Sequence, residues 1–363
     1  MLKRYLCMIL ALMMVWSCTA CGAQTQDEPE ETRVVEDPVE GELPEPEPEP
    51  VLNPLTGEAL EDPDAVDNRP VAVMLNNLHY AMPQHGIADA DMIFEYNVEG
   101  GVTRMVGFFQ DPKQAGTIGS IRSARACFVE TVLGMDAVYF HAGGSTEATN
   151  MLWQLGMDHY DGDAGKVYWR DAERRKTMAY EHTLMTSGEK IAAFLPESGW
   201  RLKHNEGYQY PITYVEDATP AGGADARQVT VRFSAYKTGR FDYDAATGTY
   251  KISQIISMLG ASPNPYIDGN TGMQVSVPNL LVLRTTVYNS GDSSGHMVIQ
   301  LQGGGSGVYF CGGKAEEITW RKAAMRDPFS FYHADGTPLS LQVGHTYVCV
   351  IANDAPLTYG EAQ

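Results

Sequence analysis

Between residues 95 and 145 the chain gathers Glu95, Glu99, Arg104, Arg122, Arg125 and His141 around two glycine pairs, Gly100-Gly101 and Gly143-Gly144. These residue types support two kinds of chemistry. Guanidinium groups grip a carboxylate or phosphate through paired, charge-assisted hydrogen bonds. A histidine beside a carboxylate moves protons, with arginines stabilising the charge that develops. The candidate catalytic residues are therefore His141, Glu95 and Glu99. The candidate ligand-binding residues are Arg104, Arg122, Arg125, His141, Gly143, Gly144 and Ser145.

The elements that position them are short. Residues 92–98 and 102–109 flank Gly100-Gly101, a hairpin signal. A two-residue loop sets Asn97 opposite Arg104 and puts Glu95, Asn97, Glu99 and Arg104 on one face. Arg104 then reaches Glu95 and Glu99 diagonally. The plain alternative is a solvated sheet face with an ion pair contributing about 0–1 kcal/mol. Residues 122–133 have helical length, with Arg122 and Arg125 in the first turns. Cations there oppose the helix dipole at about 0.3–1 kcal/mol each, and the i+4 residues Ala126 and Val129 bring no relief. Glu95 or Glu99 supplies a structural reason; an anionic ligand is the other. His141-Ala-Gly-Gly-Ser145 ends a strand at 137–140, turns on two glycines and caps a helix at 145–155, so its free N–H groups favour an anion. His141 reads as a general base, a ligand donor or a buried packing residue, the last being the commonest role of a lone histidine. His182, beyond Arg174-Arg175-Lys176, is a second histidine candidate.

Other motifs carry less. No Gly-Lys-Ser/Thr follows the Gly143 turn, so nucleotide binding is not expected. His79 and His85 lie six apart on a loop, and the body lacks zinc spacing. No metal and no cofactor is expected. Ser234-x-x-Lys237 overlaps Lys237-Thr-Gly239, so one lysine would have to fill two roles that penicillin-binding enzymes give to two; the match is coincidence. Cys127, Cys311 and Cys349 read as small buried residues, with a Cys311–Cys349 pair as the alternative.

Length and composition set the frame. At 363 residues with net charge −20, the chain suggests two domains and disfavours nucleic acid as a partner. Lys3 and Arg4 precede an apolar run over residues 6–16, then small residues, as in a secretory signal. Thr19-Ala-Cys21-Gly22 fits a lipobox with acylation at Cys21; Cys18 is the alternative. Residues 22–50 hold eleven acidic residues against Arg33 and end in alternating Pro and Glu, composing an extended stalk. Removing Lys3 and Arg4 with the leader takes −20 to −22; the stalk carries −10, leaving −12 on the body.

The boundaries expected are a leader at 1–21, a disordered acidic linker at 22–50, an α/β domain at 51–220 and a β-rich domain at 221–363, α+β overall. In the third part the capping box Thr186-x-x-Glu189 opens a helix. In the last, strands lie near 229–233, 250–252, 280–288, 296–301, 307–311, 318–322 and 346–351, with a helix near 253–259.

An ordered set of motifs points further: Asn53-Pro-Leu-Thr-Gly57, Arg69-Pro-Val-Ala-Val-Met-Leu-Asn-Asn77, Glu99-Gly-Gly-Val-Thr-Arg104, Ile121-Arg-Ser-Ala-Arg125 and His141-Ala-Gly-Gly-Ser145. Gly305-Ser-Gly307, Trp320-Arg-Lys322 and Gly344-His-Thr-Tyr347 follow. In these the chain resembles the YerB-like lipoproteins of Gram-positive bacteria, domain-of-unknown-function family 3048, over nearly all of residues 51–360. The resemblance implies an envelope protein lipid-anchored to the outer face of the cell membrane, with an α/β and a β-rich domain and no established activity. Ser120 and Tyr180-Glu-His-Thr183 depart from the family pattern. The leading expectation is non-enzymatic binding of an anionic envelope ligand or peptide. An envelope hydrolase or transferase with His141 as base, and a structural partner in a membrane-proximal complex, are the alternatives.

Overall fold

The run after Pro70 becomes strand β1 (Val71–Asn76) because both of its faces find apolar cover. Val71, Val73 and Leu75 enter one buried layer, Ala72 and Met74 the other. The computed structural model describes residues 49–361 as one compact unit. The leader, Cys18, Cys21 and the acidic stretch through Pro48 lie outside the described residues.

The main sheet draws on both parts of the chain. The first part contributes β1, β2 (Met92–Asn97), β3 (Thr103–Phe109), β4 (Val138–His141) and β5 (His159–Asp161). Helix α1 (Ala126–Gly134) leads into β4, and α2 (Thr146–Leu155) leads into β5. The second part contributes β9 (Asn279–Thr285), β10 (Gly303–Cys311), β11 (Lys314–Lys322) and β12 (Thr346–Ala352). It also holds β6 (Gln228–Arg232), β7 (Lys237–Asp244), β8 (Thr249–Ile256) and β13 (Leu357–Gly360), which form a second sheet in the order β8-β7-β6-β13. The main sheet runs β11-β10-β9-β12-β2-β3-β1-β4-β5. β12 lies parallel to both β9 and β2 and so joins the two parts. α1 and α2 pack in the apolar layer on one face, and the second sheet packs in the layer on the other. The architecture is α+β, an α/β first part with a β-rich second part.

Three local expectations are corrected. Residues 253–259 are not a helix: the turn at 244–248 folds β8 back on β7, pairing Lys237 with Ile256, and only Ser257–Leu259 makes a helical turn. Short apolar runs are ambiguous in sequence, and the hairpin partner decides. The helix after Ser187 is capped by the Ser187 Oγ, which accepts from Lys190 N at 3.2 Å, while Thr186 donates to Val167 O inside a strand. Helix α1 starts at Ala126 rather than at Arg122. Backbone groups before it are taken by tertiary bonds: Arg122 N donates to Met74 O and Ala124 N to Gly143 O. Cys127, Cys311 and Cys349 are free and buried.

The two sheets enclose a charge pair. Lys237 Nζ lies 3.4 Å from Glu95 Oε1, each side chain 2% exposed. Asn77 and Thr103 donate to Glu95 Oε1 at 2.7 and 2.6 Å, and the Tyr347 hydroxyl donates to Oε2 at 2.7 Å. Gln254 from β8 donates in turn to Asn77 Oδ1. Burial pushes the Lys237 pKa down, and the Glu95 carboxylate pulls only part of it back. Removing one partner of such a pair strands a charge, whereas replacing both is tolerated. Lys237→Met alone should cost about 3–5 kcal/mol in urea unfolding, and Glu95→Gln with Lys237→Met should recover most of it. A Lys237→Met protein as stable as the parent would remove the pair from any structural role.

Candidate functional site

The β2–β3 loop has three residues, Glu99-Gly100-Gly101, because both glycines adopt positive φ, +71° and +74°. Val98 and Val102 close it, so Tyr96 rather than Asn97 stands opposite Arg104. A one-residue change of register moves a side chain to the other face of the sheet. Glu95 and Arg104 therefore do not meet. Glu95 turns towards Lys237, and Arg104 turns to the side of α1.

There Arg104 meets Glu99. Its guanidinium donates to Glu99 Oε1 at 2.7 Å and to Ser123 O at 2.8 Å. Arg125, the residue before α1, grips the same carboxylate with two nitrogens, Nε to Oε2 at 2.9 Å and NH2 to Oε1, and donates to Ala124 O at 2.7 Å. Glu99 thus accepts from two guanidinium groups. Burial raises its pKa, but the Arg125 hydrogen bond and the charges of Arg104 and Arg125 prevail and hold it at about 2. Arg104 is 7% exposed in its side chain. Burial and the neighbouring Arg125 lower its pKa to about 9, against the pull of Glu99.

Arg122 stands beside this pair without sharing the carboxylate. It donates to the Glu181 carbonyl at 3.2 Å. Burial lowers its pKa, Glu181 raises it and Arg125 lowers it further. His182 is adjacent: its Nδ1 lies 3.0 Å from the Asn76 amide nitrogen, which also donates to Ser120 Oγ at 3.2 Å. Burial and then the Arg122 charge lower the His182 pKa.

The glycine turn lies against the same segment. Ala142 N donates to Arg122 O, Ala124 N to Gly143 O and Ser145 N to Ala124 O. Ser145 caps α2, its Oγ accepting from Ala148 N. The Gly143 N–H is already given to Asp161 at 2.6 Å. His141 is held between Gly143 O at 2.9 Å and His159 Nδ1 at 3.0 Å. Both ring nitrogens are engaged, the ring is buried, and burial lowers its pKa. The ring lies under the turn, with one nitrogen facing Gly143 O and the other facing His159. Asn76, His141 and Asp161 end parallel strands, and Arg125 and Ser145 begin the helices that follow. In open α/β sheets this edge is where ligands bind. Asn76, Ser123 and Glu181 were not singled out from sequence; Asn76 lay inside the Arg69–Asn77 motif, Ser123 acts through its backbone carbonyl, which leaves no side-chain signal, and Glu181 acts through its carbonyl and its charge.

Known proteins share this chain's pattern. Residues 55–201 match the family described as Protein of unknown function (DUF3048) N-terminal domain, and residues 229–348 match its C-terminal domain. The putative lipoprotein YerB of Bacillus subtilis (strain 168) is 30% identical over 281 residues, 75% of this chain and 78% of that protein. The crystal structure of YerB protein from Bacillus subtilis superposes with a TM-score of 0.71 at 26% identity, covering 85% of this chain and 99% of that one.

The Glu99 pairing predicts acid sensitivity with a definite sign. Its folded pKa, about 2, lies below the ordinary carboxylate value of 4.5, so its contribution is present above about 4.5 and is lost as pH falls towards 2. The full shift corresponds to about 3 kcal/mol as an upper bound, screened in part by solvent. Glu99→Gln should flatten the stability profile between those pH values and lower stability at neutral pH. An unchanged pH profile of unfolding would show the pairing to contribute nothing.

Proposed function

The chain belongs to the DUF3048 family of proteins of unknown function, and from the geometry of its arginines we propose that it binds an anionic group. In this reading it is an envelope protein, acylated at Cys21 and held at the outer face of the membrane, whose ligand is a carboxylate or phosphate of an envelope polymer or peptide. The relative described as a lipoprotein supports the address.

One observation carries the binding reading. Three guanidinium groups, from Arg104, Arg122 and Arg125, lie close enough to perturb one another, and Glu99 is the carboxylate that two of them share. Three guanidinium groups stand against the carboxylates of Glu99 and Glu181, so positive charge still exceeds negative at this partly buried spot on an otherwise acidic protein. An incoming anion relieves that excess. Arg104 and Arg125 present the charge, Arg122 is the contact arm because among the described residues its guanidinium bonds a backbone carbonyl and no carboxylate, and Ser145 and Gly144 form the adjacent rim. His141 supports the turn from beneath.

Arg122→Ala separates binding from folding, since it leaves the Glu99 pairing intact. Titration of the protein with glycerol phosphate and with N-acetylmuramyl dipeptide should give salt-sensitive binding that weakens about tenfold in Arg122→Ala, with little change in melting temperature. Arg125→Ala should lose both binding and stability. If neither probe binds, or if Arg122→Ala binds as the parent does, the arginines are internal fasteners and the reading fails.

A further inference from the structure

A second surface carries chemistry of a different kind. Around residues 203–214 an open groove of about 1000 Å³ is lined by Tyr208, Tyr210 and Tyr214. Their hydroxyls are turned into the protein: Tyr208 donates to Gly134 O at 3.0 Å, Tyr210 to Met135 O at 3.2 Å and Tyr214 to Leu55 O. What lines the groove is therefore ring carbon. The rings are also fixed. His204 stacks on Tyr208 at 4.3 Å, lies 2.9 Å from Asp136 and sits 3.1 Å from the Tyr210 hydroxyl, while Tyr208 and Tyr210 meet edge to face at 5.1 Å.

The rim is polar. Asp67, Asn205 and Gln209 line the same groove and are exposed, and their side chains take no part in the bonds that hold the tyrosines. The charged rim residues are Asp67, Glu206 and Lys203, so the groove carries no cationic excess. An immobile aromatic floor with free carboxylate and amide groups around it suits a ligand with apolar ring faces and hydroxyl edges. Pyranose rings have that construction: axial C–H groups rest on the tyrosines while hydroxyls donate to Asp67 and exchange bonds with Asn205 and Gln209. An extended proline-rich peptide would also stack on aromatic rings. Its prolines, however, carry no N–H to offer the Asp67 and Glu206 carboxylates on the rim, whereas sugar hydroxyls donate to them. A polyanion would meet the wrong charge.

We propose that this groove is a binding site for a neutral oligosaccharide. It is separate from the arginine surface, shares no residue with it and does not depend on it.

Calorimetric titration of the full chain in detergent, with the tetramer of N-acetylglucosamine, maltotetraose and decaproline as probes, tests it. Saturable binding of a saccharide is expected, weakened about tenfold by Asn205→Ala with Gln209→Ala, two exposed positions whose loss leaves the fold alone. Tyr208→Leu should abolish it, and Arg122→Ala should leave it unchanged, which separates this site from the anion site. The proposal is overturned if neither saccharide binds at about 10 mM. It is also overturned if decaproline binds more tightly, or if the Asn205/Gln209 double variant keeps full affinity.

Discussion

One buried ion pair governs how the rest of this molecule is arranged. Glu95 comes from the N-terminal family region and Lys237 from the C-terminal one, and they face each other between two sheets with almost no exposure. A carboxylate placed there is tolerable only with its lone pairs occupied, and Asn77, Thr103 and Tyr347 occupy them. Those donors arrive from the end of β1, from β3 and from β12. We regard the pair as a registration device: an apolar interface would tolerate sliding, whereas a charge that must meet its partner does not.

The arginine surface inherits its geometry from that registration. The hairpin that carries Lys237 also carries Ser234, which donates to Gly101 O at 2.5 Å and so holds the loop that presents Glu99. Glu99 then orients Arg104 and Arg125. The two carboxylates of the β2–β3 region thus have distinct roles on opposite faces of one sheet. Glu95 joins the two sheets, and Glu99 holds a cationic cluster in place at the strand ends, where helices begin.

Legibility differed between elements for identifiable reasons. The cap at Ser145 and the strands near 137–140 and 346–351 were readable because capping and buried runs are local signals. The start of α1 was not, because Arg122 and Ala124 have their backbone groups taken by β1 and by the Gly143 turn, and Ser123 its carbonyl by Arg104, partners far off in sequence. The convergence of Arg104 and Arg125 was anticipated, but Glu95 was given as an equal partner with Glu99. A loop one residue longer than expected sent it to the other face. Lys237 sits in a motif that resembles an enzyme signature without fitting it, and nothing local marks a lysine as the partner of a glutamate 142 positions earlier.

Residue order alone determined the α+β composition, the family pattern, the acidic character and the grouping of arginines near a glycine hairpin, since each depends on identity and short-range spacing. Tertiary structure decided which carboxylate those arginines hold, that the His141 ring nitrogens are both engaged, and that three tyrosines between 208 and 214 form an aromatic floor. These outcomes rest on strand register and on contacts between distant segments. Register is set by the turn and by what lies across the sheet, and neither is written in the strand itself.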